Sequence, residues 1–181
     1  MTAARRFARF RPQADPEHAV FGVPVDGMCL STFLVVRPEG HPERVLLGHL
    51  NPAAPWQEIG AADPRRSQEW KTGWMLPSSQ LQVYESPGDS ARRIAREQLG
   101  VELQDLPPPV LMSDAYQRSA PPGEMHWDIG FVYVLDGQPS DPPRHSAWTE
   151  LEYRPVAEMR RADFVRSQDD VLRLVGLTCR D

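Results

Sequence analysis

The chain has 181 residues, a net charge of −5, 40% hydrophobic and 25% charged residues. That composition suits one globular domain with a sizeable core, and its acidic balance argues against a general nucleic-acid surface, which shows a strong basic patch. No run approaches the ~20 apolar residues of a membrane span, so neither a membrane nor a nucleic acid is an expected partner.

Residues 1–27 read as an N-terminal arm or leading strand. The start, MTAARRFARFRP, carries Arg5, Arg6, Arg9 and Arg11 and no acid. It is either an anion-contacting arm or a solvated terminus, and it is too short and polar for a secretory signal. CLSTFLVVR (29–37) is a nearly continuous β-branched and apolar run, the pattern of a strand buried on both faces. RPEGHPE is a turn, and RVLLGHL (44–50) a second strand, so the pair reads as a hairpin. A polar insertion follows at 51–71, carrying Trp56, Arg65, Arg66 and Trp70. A loop of that length inside a compact domain is usually functional or disordered.

GWMLP (73–77) is a short strand. The helix after it spans about 87–99: Ser86 is a good N-cap, Pro87 suits the first helical position, Asp89 sits three residues after the cap, and Gly100 supplies a left-handed stop. On it Arg93 and Glu97 stand at i and i+4, while Ile94, Glu97 and Gln98 share a face. VLMSDAYQRS (110–119) and MHWDIGFVYVL (125–135) read as strands joined across Pro121–Gly123; the second alternates with a period of two. AWTELEYRPV (147–156) is another strand, and SQDDVLRLVGLTC (167–179) an amphipathic helix marked by Val171, Leu172, Val175 and Leu177. Strands around a central helix, with a helix at the end, predict a mixed α/β or α+β domain over 28–181.

Of the 19 prolines, several cluster at Pro107–Pro109, Pro121–Pro122 and Pro142–Pro143, where they punctuate loops. Cys29 and Cys179 fall in no metal-ligand or CxxC spacing. That pattern predicts a reduced, cytoplasmic chain with plain thiols.

LPSSQLQVYESPGDSARRIAREQLGV resembles the box motif of the Nudix family, G-x5-E-x7-R-E-U-x-E-E-x-G-U with U aliphatic. Ser79 takes the first glycine place, Glu85 the first glutamate and Arg93 the arginine. Ile94 stands for the next glutamate, Ala95 for the aliphatic residue, Glu97 matches, Gln98 replaces the last glutamate, and Gly100 and Val101 close the motif. GWMLP resembles the family's approach to its box, and TELEYRPVAEM its late segment, with Tyr153 at the aromatic place. The likeness covers roughly residues 28–178. It implies a mixed β-sheet sandwiched between helices, and hydrolysis of a nucleoside diphosphate linked to another group.

The resemblance also implies a divalent cation, Mg²⁺ or Mn²⁺, with Glu85, Glu97 and Gln98 on the metal side. With so few carboxylates the ion binds weakly in the free protein, since Mg²⁺ takes one or two carboxylates plus water and substrate phosphates. Arg93 orients the carboxylates, and Glu97, Arg93 and His126 are the candidate catalytic residues. Asp128 shares a strand face with His126; Glu124 and Glu150 are further candidates. In the insertion, Arg65 and Arg66 suit phosphate oxygens, and Trp56 or Trp70 suits stacking on a base. The partner implied is a nucleotide or nucleotide sugar, and homodimers are common in the family.

Three readings stay open. The first is a metal-dependent hydrolase of a nucleoside diphosphate derivative. The second resembles GDP-mannose mannosyl hydrolases, which also lack the glutamate after the box arginine and use a histidine base outside the box; LLGHLNPAAPW is similar to their pre-box segment. The third is a catalytically silent fold that binds a nucleotide or partner protein, as the loss of two carboxylates and the glycine pair would suit.

Overall fold

The computed structural model describes residues 27–54, 73–82, 84–117, 125–165 and 168–181. In chain order its main elements are β1 (Gly27–Pro38), β2 (Arg44–Leu50), β3 (Ser78–Gln80), α1 (Pro87–Ile94), β4 (Val110–Gln117), β5 (Met125–Gln138), β6 (Trp148–Pro155) and α2 (Asp169–Leu174). Helix α1 continues directly into a π-helical turn, Ala95–Leu99. One sheet has the order β3-β1-β5-β4, with β1 parallel to β5 and the other neighbours antiparallel; β2 and β6 form a separate antiparallel pair.

β1 is buried on both faces, as its unbroken apolar run predicts: Thr32, Leu34 and Val35 are wholly inaccessible. Its alternation assigns the two faces. Phe33 and Val35 pack with Val171 and Leu172 of α2, and Leu34 and Val36 with Ala91 and Ile94 of α1. The mixed sheet therefore lies between two helices, in the α+β arrangement expected. Each fully buried aliphatic side chain contributes roughly 1.5–3 kcal/mol, so β1 is the strand that ties both layers together.

Three expectations need correction. The sequence reads β1 and β2 as a hairpin, but β3 and β5 occupy the two edges of β1, and β2 ladders with β6 instead. The turn, held by His41 N–H to the Pro38 carbonyl at 3.2 Å, carries the chain from one sheet to the other. The GWMLP strand reduces to isolated bridges from Trp74 to Phe164 and from Met75 to Gly48. The regular ladder with β1 comes later, at Ser78–Gln80. The last helix is confined to Asp169–Leu174 because Gly176 turns left-handed, with φ 81°. Val175 and Leu177 still pack on the core, from beyond the helix.

Of the arm at 1–27 only Gly27 is described, and of the insertion at 51–71 only 51–54. Among the described residues no helix is long and apolar enough to cross a membrane.

Candidate functional site

The site is built on α1, and local chemistry fixes both of the helix's ends. The Ser86 hydroxyl accepts the Asp89 N–H at 3.1 Å, with Pro87 at the first helical position. At the other end Gly100 adopts φ 69°, so that Gly100 N–H reaches the Arg96 carbonyl and Val101 N–H the Ala95 carbonyl, each at 3.1 Å. The last turn is widened to π geometry, a distortion often found at functional sites.

Arg93 is the centre of the arrangement. Its side chain is 6% exposed, and its guanidinium grips Glu85 with two bonds, Nε to Oε1 at 2.6 Å and Nη2 to Oε2 at 2.8 Å. Nη2 also donates to the Gln80 carbonyl at 3.0 Å and the Ser90 hydroxyl at 3.2 Å, and Nη1 to the Ser79 hydroxyl at 3.3 Å. Glu85 Oε2 accepts the Gln82 N–H at 2.8 Å as well. A paired and hydrogen-bonded charge is the kind that tolerates burial. Glu85 is thereby committed to Arg93 and to the loop.

The outer guanidinium nitrogen of Arg93 stands 3.7 Å from Glu97 Oε2. That is an ion-pair distance, longer than a hydrogen bond. The Glu97 side chain is 19% exposed, which places a carboxylate at the rim of the helix with its charge balanced from the buried side. Its neighbours on the helix differ. Ile94 is wholly buried among Leu34, Leu46 and Tyr133. Gln98 is also wholly buried; its Oε1 accepts the Ser78 N–H at 3.2 Å and its Nε2 donates to the Ser78 carbonyl at 2.9 Å. The Gln98 backbone carbonyl receives the Trp148 indole N–H at 2.8 Å. A carboxamide can make this paired contact with one residue's backbone, whereas a carboxylate lacks the donor.

Ser78 and Ser79, in the glycine places of the motif, lie in the extended strand β3. Positive φ appears instead at Tyr84, at 65°, on the residue before Glu85. Sequence reasoning passed over Tyr84. Its signal was a bulky residue in a tight turn just before the first motif glutamate.

The other expected residues are spread more widely. The Asp128 carboxylate accepts the Ser31 hydroxyl at 2.9 Å. It belongs to the row of β5 that includes Val132 and faces α2, not to the row that packs on α1. His126 lies in β5 in register with Gly27 and Tyr116, and its side chain lies outside the described residues. Glu150 stands across from His49, Oε2 to Nε2 at 4.0 Å. The His49 ring is 4.1 Å from that of Trp74, and the Arg154 guanidinium lies over Trp74 at 4.4 Å. Trp56, Arg65, Arg66, Trp70 and Glu124 lie outside the described residues. Burial pushes the phenol of Tyr133, in the α1 cluster, above its ordinary pKa, with Arg92 pulling the other way and Asp89 adding to the rise.

A hard divalent cation wants oxygen ligands. Among the described residues no three His, Cys, Asp or Glu side chains converge as a metal site. Among the described residues Glu97 offers a rim carboxylate, which suits a cation that also takes substrate phosphate oxygens.

The fold is similar to that of solved Nudix hydrolases. The chain superposes on a MutT Nudix hydrolase from Burkholderia pseudomallei with a TM-score of 0.55 at 18% identity, over 82% of this chain and 98% of that one. A MutT protein from Methanosarcina mazei Go1 gives 0.48 at 15% identity, over 71% and 78% of the two chains. The Escherichia coli dihydroneopterin triphosphate pyrophosphohydrolase gives 0.48 at 11%, over 70% and 80%. No family model matches the sequence, and no curated protein matches it. The likeness to the first of these structures, together with the mixed sheet between two helices, shows a Nudix fold.

Proposed function

We propose that the protein is a hydrolase of a nucleoside diphosphate derivative that uses a divalent cation, Mg²⁺ or Mn²⁺, brought in largely by its substrate. The observation that carries this reading is the chain Glu85–Arg93–Glu97: a buried, doubly bonded guanidinium holding one carboxylate at the rim. Glu97 would hold the ion, together with phosphate oxygens. When bound, the ion neutralises charge on the attacked phosphate and on the leaving oxygen.

The protein's own residues supply position and charge. Glu85 fixes the rotamer of Arg93, and the Arg93 guanidinium lies beside the Glu97 carboxylate and orients it. The ligand role expected for Gln98 passes to Glu97 in this reading, because the Gln98 carboxamide is buried against Ser78. Glu85 likewise acts through Arg93. Arg65 and Arg66 would take phosphate oxygens, and Trp56 one face of the base. Glu97→Gln is expected to lower Mg²⁺-dependent release of phosphate or nucleotide by about a hundredfold. Unchanged turnover in that variant would remove the assignment.

A second reading is favoured by one specific observation: two of the three helix positions that carry glutamate in the motif, Ile94 and Gln98, are wholly buried. A nucleotide-binding protein without turnover needs no more than this. It predicts thermal stabilisation by nucleotide in the wild type with no product at any Mg²⁺ concentration.

A further inference from the structure

Tyr84 is fully exposed, at 104% of the reference area, and its backbone is left-handed at φ 65°. The exposure costs nothing relative to the unfolded chain, but the left-handed backbone does cost free energy. A bulky residue at φ > 0 is a genuine outlier, and such strain persists only where the surroundings over-determine it. They do so here. The Glu85 N–H donates to the Gln82 carbonyl at 3.1 Å, and the Gln82 N–H donates to the Glu85 carboxylate at 2.8 Å. Tyr84 is thus the third residue of a turn closed from both ends, a position that favours glycine or asparagine. The ring buries no surface, so the fold gains nothing from it.

Its location is fixed nonetheless. Glu85, the next residue, is bonded twice to Arg93, and Arg93 reaches Glu97. The backbone that carries the ring is thereby anchored beside the candidate site, one residue from the carboxylate that positions the guanidinium. Resting on the function proposed above, we infer that Tyr84 is the stacking platform for the planar ring of the substrate while the phosphates lie toward Glu97. Stacking tolerates any base, so Tyr84 selects ring-bearing diphosphates over ringless ones and does not choose between bases.

The test is calorimetric titration of the full chain, with Mg²⁺, using two non-hydrolysable probes: α,β-methylene-ADP, which carries a ring, and methylenediphosphonate, which does not. Tyr84→Asn removes the ring while suiting the left-handed turn, so its melting temperature should not fall. It is expected to weaken binding of the nucleotide about tenfold and to leave the diphosphonate unchanged, while Tyr84→Phe binds both as the wild type does. Equal nucleotide affinity in wild type and Tyr84→Asn, or an equal loss for both probes, overturns the role of Tyr84 and leaves the proposed function standing. A wild-type protein that binds neither probe overturns both.

Discussion

At the scale of single residues, Gln98 and Arg93 carry the most information. The Gln98 carboxamide matches the donor and acceptor of Ser78, with no water between. Gln98→Glu would set a carboxylate against the Ser78 carbonyl in a wholly buried place, and burial raises the pKa of such a group. With the folded pKa above the unfolded one, the variant should be close to wild type below about pH 4.3. It should lose stability as pH rises from there through the raised folded value. Urea melts at pH 4 and pH 7 measure this, and a pH-independent difference would contradict it. Arg93→Lys keeps the charge but loses the fork that grips Glu85. We expect a loss of roughly 2–3 kcal/mol, read from the shift in urea midpoint at constant slope.

At the scale of elements, α1 is specified at its ends by the chain and along its length by the sheet. Ser86, Pro87 and Gly100 were legible because caps are local: each satisfies backbone groups within a few residues. The inward face is set by β1, β2 and β5, which place Leu34, Leu46 and Tyr133 around Ile94. Ile94→Glu, which makes the motif more complete on paper, would bury an unpaired charge. It should therefore destabilise the protein by about 3 kcal/mol or more, a fall of roughly 10 °C in Tm for a chain of this size. No gain in metal-dependent activity should accompany it. The strand β2 meets a similar constraint at Gly48, where a Cβ would stand 2.5 Å from the Trp148 ring and 2.9 Å from the Glu150 carbonyl. Gly48→Ala should cost about 1–3 kcal/mol through overpacking. Because Trp148 bonds Gln98, the strain should be transmitted to the π turn, and a thermal melt with Trp fluorescence reads both.

At the scale of the whole molecule, the proposed function, with Glu97 as the rim carboxylate among the described residues, predicts that metal and substrate bind together or hardly at all. Mg²⁺ alone should leave the melting temperature unchanged. Mg²⁺ with a nucleoside diphosphate at a hundred times its Kd should stabilise by about 2.7 kcal/mol, several degrees in a thermal shift. Strong stabilisation by Mg²⁺ alone would require ligands beyond Glu97 and would revise the site. The architecture itself follows from one strand. β1 alternates between the α1 and α2 faces, so the layers of the fold meet along it.

What the sequence by itself determined are the features whose physics is local or periodic. These are the capped helix, the i, i+4 spacing of Arg93 and Glu97, the doubly buried β1 and the alternation of β5. The pairing of β2 was not among them, because a strand's partner depends on which edges remain open once the sheet assembles, and β3 and β5 closed both edges of β1. Nor were the fates of the three helix positions. Ile94, Glu97 and Gln98 share a face by spacing, yet only packing against the sheet and the Ser78 backbone put Ile94 and Gln98 inside and left Glu97 at the rim. The left-handed turn at Tyr84 was equally out of reach, since its strain is held by bonds between Gln82, Glu85 and Arg93 that exist only when the loop closes on the helix.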